Sequence, residues 1–154
     1  LNIAGFKLNE ITPEYVVVGM DQDLTYKKVR TATRAIRNGS TFIGTNADLN
    51  LPLGHELIPG NGSQCAMIAA ATGQQPLYIG KPESIIVDYA LKKIHHSKDE
   101  TIIVGDNYNT DIRAGFNSGV DQMLTLTGVT TRADIEGKRQ PTITVDNLSE
   151  FKFN

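Results

Sequence analysis

Short β-branched apolar runs alternate with helix-period segments along this chain, and that alternation limits the fold more than any other feature. Tyr15-Val16-Val17-Val18-Gly19-Met20, Thr41-Phe42-Ile43-Gly44, Leu77-Tyr78-Ile79-Gly80 and Thr101-Ile102-Ile103-Val104-Gly105 each read as a strand. So do Gln122-Met123-Leu124-Thr125-Leu126 and Thr142-Ile143-Thr144-Val145. From Thr25 the period changes. Tyr26, Val29, Thr33 and Ile36 fall on one helical face, and Lys27, Lys28, Arg30, Arg34 and Arg37 form a wet face, up to a stop at Asn38-Gly39. Ser63 is placed to cap a helix that closes at Gly73. Pro82-Glu83 is placed to open one that runs to about His95. Residues 110–118 make a short helix ending at Gly119. Strands and helices in alternation predict an α/β layered fold. The near-continuous apolar run before Asp106 is what a parallel sheet covered on both faces requires.

Residues 45–62 contain Pro52, Gly54, Pro59, Gly60 and Gly62 and read as one long loop, a length that in a compact domain tends to serve function. The expected domain boundary falls near Gly73-Gln74-Gln75-Pro76, dividing the chain into residues 1–73 and 74–154. Leu1-Asn2-Ile3-Ala4-Gly5-Phe6 looks like the end of a helix capped by Gly5, and it lacks a methionine, so the chain reads as a piece of something longer.

The strongest chemical signal is Ile102-Ile103-Val104-Gly105-Asp106-Asn107-Tyr108-Asn109-Thr110-Asp111-Ile112. A buried strand ends in Gly-Asp, and a second carboxylate follows at the start of a helix. Ligands of open α/β sheets bind beyond the carboxyl ends of the strands, which is where Asp106 lies. Magnesium takes one or two carboxylates with water and phosphate oxygens. Asp106 suits a direct ligand; Asp111 suits binding through water or orienting its neighbours. The plainer alternative makes Asp106 and Asn107 turn formers and Asp111 a helix-dipole partner. Gly80-Lys81-Pro82 ends the preceding strand and brings a lysine to the same crevice, where its ammonium can balance a phosphoryl group. Taken alone, Lys81 would be an ordinary surface lysine.

Several classes of function are disfavoured. With 15 basic and 17 acidic residues the net charge is -2, so nucleic acid is not an expected partner. No apolar run is long enough to span a bilayer, and no signal pattern opens the sequence, so no membrane partner is expected. The single cysteine, Cys65, cannot form an internal disulfide. It sits in an apolar helix face, reads as core, and fits a reducing, cytoplasmic setting. His55, His95-His96 and Gly60-Asn61-Gly62 read as loop, helix-end and turn residues respectively.

The segments Gly80-Lys81-Pro82-Glu83 and Val104 to Ile112 resemble the two C-terminal motifs of haloacid dehalogenase (HAD) superfamily phosphatases, most closely the NagD-like and para-nitrophenyl-phosphatase-like branch. Residues 15–26, Phe42-Ile43-Gly44-Thr45-Asn46-Ala47-Asp48, Leu57-Ile58-Pro59-Gly60-Asn61-Gly62-Ser63 and Thr127-Gly128-Val129-Thr130-Thr131 extend the likeness over nearly the whole chain. The resemblance implies an α/β cap domain at 1–73 and the C-terminal half of a parallel-sheet, Rossmann-like core at 74–154. It implies a phosphomonoester hydrolase that uses magnesium and an aspartyl-phosphate intermediate on a small phosphorylated metabolite. Lys81 matches the family's lysine, Asp106 its metal ligand and Asp111 its supporting carboxylate. Asn46 and Asp48 match the cap loop that faces substrate, and Asn107 lies next to the metal position. A homo-oligomer is compatible with all of this.

One departure is large: the family's N-terminal Asp-x-Asp-Gly-Thr motif, with its nucleophile, has no counterpart, and its place would be upstream of Leu1. Val18-Gly19-Met20-Asp21-Gln22-Asp23-Leu24-Thr25 imitates it, but Leu24 stands where the motif has glycine. The cap-strand reading, with Asp23 or Thr25 capping the next helix, is preferred. The piece alone is expected to be inactive. The rival reading is a non-catalytic module that binds magnesium and an anion, or a partner strand along an exposed sheet edge. A generic nucleotide-binding domain is less suitable, because no glycine-rich fingerprint follows the first strand.

Overall fold

The computed structural model describes residues 4–151 and divides into two compact units, Leu1–Ile79 and Gly80–Asn154. Of the expected helix end at the N-terminus, Leu1 to Ile3 lie outside the described residues; Gly5 has φ 82°.

In the first unit, β1 (Tyr15–Val18), β2 (Thr41–Gly44) and β5 (Leu77–Tyr78) form a parallel sheet in the order β1-β2-β5. Helix α1 (Tyr26–Arg37) follows β1, and Thr25 caps it by accepting from Lys28 N at 3.3 Å. Ile36 of α1 joins Val18, Phe42, Cys65, Ile68 and Ala69 in one core, with Val29 packed against it. Tyr26, expected on the same face, is the first residue of the helix and is exposed.

The expected long loop is not a loop. It contains the antiparallel hairpin β3 (Asn50–Leu53) and β4 (Glu56–Pro59), joined at Gly54-His55. Helix α2 (Asn61–Thr72) starts earlier than expected, behind Gly60, and Ser63 does not cap it. The Ser63 hydroxyl instead donates to the carbonyl of Leu49 at 2.6 Å, tying the helix to the hairpin. The end at Gly73 is as read.

The strand Leu77–Tyr78 also differs from expectation. Local sequence places it with the second half, yet it pairs in parallel with β2, Ile43 opposite Leu77 and Gly44 opposite Tyr78. The compact units therefore divide after this strand, not before it at Gly73 to Pro76.

The second unit contains α3 (Ser84–Ile94), β6 (Ile102–Gly105), a π-helical turn (Tyr108–Ile112), α4 (Arg113–Ser118), β7 (Asp121–Thr125) and β8 (Ile143–Val145). The sheet is parallel, in the order β6-β7-β8. Val87 and Leu91 of α3 pack with Ala114 of α4, Val120 and Ile103. Tyr108, Ile112, Leu124 and Ile135 form a second cluster. In β7 every residue from Gln122 to Thr125 is buried, as a central parallel strand demands. In β6 the expectation of cover on both faces fails. Ile103 packs under the helices, while Ile102 and Val104, which point to the opposite face, are 37% and 44% exposed.

Among the described residues, no helix is long and apolar enough to cross a membrane.

Cys65 is fully buried, and burial pushes its thiol up from the ordinary value. A raised thiol favours folding below the normal cysteine range, and that contribution is lost as pH rises through the raised value. Cys65 is thus expected to resist iodoacetamide in the native chain at mildly alkaline pH and to react fully in urea, read by mass shift. Labelling at equal rates in both would contradict the buried core.

Candidate active site

Asp106 follows β6 directly, so the strand delivers it to the sheet's carboxyl end. The chain then enters the π-helical turn. Asn107 starts that turn: its side-chain oxygen accepts from Asn109 N at 2.9 Å, and its carbonyl accepts from Asp111 N at 2.8 Å. The turn folds Asp111 back against its own beginning, so that Asp111 Oδ2 accepts from Asn107 N at 3.2 Å. The other oxygen, Oδ1, meets Lys81 Nζ at 2.5 Å. The Asp111 side chain is 10% exposed and that of Lys81 51%, so a nearly buried carboxylate is paired with an ammonium that still reaches water.

Lys81 arrives from the loop before α3. The Lys81–Pro82 peptide is cis, and the Pro82 carbonyl accepts from Asn117 Nδ2 of α4 at 2.8 Å. The lysine is therefore positioned by packing of α3 and its leading loop on α4. The strand that precedes it, Leu77–Tyr78, pairs within the first unit's sheet.

The two carboxylates differ in their partners. Asp111 has a cation and a backbone N–H. Asp106 has neutral donors only: its Oδ2 accepts from Val129 N at 2.9 Å and its carbonyl from Thr130 N at 3.1 Å. Among the described residues no ammonium or guanidinium pairs with Asp106. Each carboxylate is also backed by a glycine. A Cβ on Gly105 would collide with Asp111, and one on Gly128 with Asp106.

The structure thus brings Lys81 and Asn107 each into contact with Asp111, with Asp106 adjacent to Asn107 in the chain. Asn46 and Asp48 belong to the first unit, ahead of α2. Asn46 Oδ1 accepts from Asp48 N at 3.3 Å, its carbonyl accepts from Asn61 Nδ2 at 2.9 Å, and the Asp48 carbonyl accepts from Gly62 N at 2.8 Å. Asp21, the imitation nucleophile, is engaged inside the first unit. It pairs with Lys28 at 2.7 Å, accepts from Asp23 N at 2.9 Å, and exchanges backbone bonds with the Gln64 amide. The Lys28 ammonium holds its carboxyl below the usual range. His55 sits in the exposed hairpin turn, His95 ends α3, and His96 pairs with Glu100 at 3.6 Å.

Sequence reasoning missed Thr130 and Val129 as parts of the site. They stand more than twenty residues from Asp106 and Tyr108 in sequence, and no local pattern announces the pairing.

Among the described residues, no three or more His, Cys, Asp or Glu side chains gather in a way that could hold a metal. A magnesium ion that keeps water and substrate oxygens needs only one or two carboxylates. The donor set fits such an ion: Asp106 is charged and oriented, and Asp111 lies one turn away.

Residues 78–151 match the model of the HAD-hydrolase-like family. The chain is 46% identical over 139 residues to the 5'-nucleotidase YutF of Bacillus subtilis, covering 90% of this chain and 54% of that protein. It is 44% identical over 138 residues to an acid sugar phosphatase of Staphylococcus saprophyticus, covering 89% of this chain and 53% of that one. Among solved structures, NagD from E. coli K-12 superposes with a TM-score of 0.92 at 35% identity, covering 98% of this chain and 60% of that chain. The chain spans about half the length of the curated relatives it matches.

Proposed function

We propose that the chain, whose residues 78–151 match the HAD-hydrolase-like family, forms the cap and the cation-holding half of a magnesium-dependent phosphomonoester hydrolase. The observation that carries the reading is the contrast between the two carboxylates. Lys81 balances Asp111, while Asp106 keeps its charge beside it.

In this reading Asp106 is the magnesium ligand. The ion, when bound, offsets the negative charge of a phosphoryl group. Lys81 lends a positive charge to the same group, and Asp111 holds the ammonium in place, nearly buried and so in a medium where charge counts for more. Asn107 spends its side-chain oxygen on the turn, which leaves its amide NH2 to donate to substrate. Asn46 and Asp48 are the cap's candidates for reading the rest of the substrate. Relatives named as a 5'-nucleotidase and an acid sugar phosphatase support a small phosphorylated metabolite as substrate, without choosing between nucleotide and sugar. The aspartate that accepts the phosphoryl group is proposed to lie in sequence outside residues 1–154, since Asp21 is committed to Lys28.

The test compares this chain with a form extended to the relatives' full length, using p-nitrophenyl phosphate with and without magnesium. The extended form is expected to turn over only with magnesium, and to lose that turnover on Asp106→Asn. The 154-residue chain is expected to show none. Magnesium-dependent turnover by the chain alone would overturn the assignment and return Asp21 as the nucleophile. Binding of magnesium and phosphate without turnover in the extended form would favour a non-catalytic binding module.

A further inference from the structure

Asp106 is gripped from a distant part of the chain. The Val129 N–H donates to its Oδ2 at 2.9 Å, and the Thr130 N–H donates to its carbonyl at 3.1 Å. Both handles of one residue are thus held by two consecutive amides. A third bond runs the other way: Tyr108 N donates to Thr130 Oγ1 at 2.8 Å. The segment is laced to the site loop on both sides of Asn107.

The side chains of this segment follow the same logic. Val129 is 68% exposed, so its apolar group is not what places it; its N–H is. Thr130 is 5% exposed, and its hydroxyl oxygen is the acceptor for Tyr108 N, a buried donor that would otherwise go unpaired. Gly128 allows the backbone to come so near Asp106 that a Cβ there would strike the carboxylate.

A neutral N–H fixes a carboxylate's orientation without cancelling its charge. A lysine would do both, as Lys81 does for Asp111. We propose that Thr130 is a positioning residue for Asp106, and that residues 128–130 form a backbone clamp that aims the carboxylate at a divalent cation while leaving it fully negative. The proposal rests on the reading of Asp106 as a metal ligand. Residues that orient a metal ligand commonly matter to metal affinity by about 10–100-fold.

The test is a Mn2+ titration of the 154-residue chain, followed by electron paramagnetic resonance, with circular dichroism as the check on folding. The unmodified chain is expected to bind Mn2+. Thr130→Val keeps the shape and removes the acceptor for Tyr108 N, and is expected to weaken binding about tenfold or more. Thr130→Ser restores the hydroxyl and is expected to recover most of the affinity, which a mere packing role for the methyl group would not give. Gly128→Ala, which presses on the carboxylate directly, is expected to match Thr130→Val, and it carries the comparison if Thr130→Val does not fold. Equal affinity in the unmodified chain and the valine variant would overturn the clamp alone. No Mn2+ binding by the unmodified chain would overturn the metal-ligand reading of Asp106, and the clamp's purpose with it.

Discussion

If the proposed phosphatase function holds, replacing Lys81 by alanine is expected to lower turnover of the full-length form about a hundred- to a thousandfold, the loss typical when a fixed electrostatic partner of a reacting group is removed. The chain itself should also lose stability. Asp111 would keep one neutral donor, Asn107 N, on a carboxylate that is 10% exposed. An under-satisfied charge at such a site costs about 1–3 kcal/mol. The cost falls toward the low end, because water can enter where the half-exposed lysine stood. Lys81→Arg is not expected to rescue turnover, since a guanidinium is a wider, planar donor that does not reproduce a compact ammonium. Two measurements separate the effects: the urea midpoint of the chain, and kcat against KM in the full-length protein. Turnover within a few-fold of the unmodified enzyme would remove Lys81 from the site.

Much of this arrangement is legible in the sequence because it is local. Gly105, Asp106 and Asp111 lie within one strand-to-helix turn, and the β-branched run before them announces the strand. The helix stops at Gly73 and Gly119 are local too, and both appear where read. What cannot be read is anything that depends on a distant partner. Leu77–Tyr78 looks the same as a strand whichever sheet it joins; only its register with Ile43 and Gly44 decides. The β3–β4 hairpin hides because Pro52 breaks the strand pattern. A proline is tolerated there because the ribbon has only two strands, so its missing N–H can sit on an open edge. The start of α2 is misjudged because Ser63 is a good cap by type, yet its hydroxyl serves the Leu49 carbonyl. The exposed face of β6 could not be foreseen, since an apolar strand predicts burial and not which neighbours provide it. Thr130 escapes for the same reason as Leu77: its partner, Tyr108, is 22 residues away.

The second large effect belongs to Gly105. It is the last residue of β6, and the position where its Cβ would be is already filled by the Cβ, Cγ and Oδ2 of Asp111. Were Asp111 a free surface side chain, it would swing aside at little cost. It is instead held at both oxygens, by Lys81 and by Asn107 N, and its backbone N is bonded to Asn107. Gly105→Ala must either push Asp111 off these partners or open the π-helical turn. Overpacking of a tight contact costs about 1–3 kcal/mol, and a lost hydrogen bond to a charged group costs a similar amount. The two overlap, so a loss of about 3 kcal/mol is expected, read as a fall in the urea midpoint at unchanged m value. A double-mutant cycle locates the strain. In an Asp111→Gly background the atoms that the new methyl strikes are gone, and Gly105→Ala should then cost almost nothing further. If the two substitutions simply add, the strain lies in the β6 backbone and not against Asp111. In that case Gly105 would be a strand-end residue with no part in seating the carboxylate.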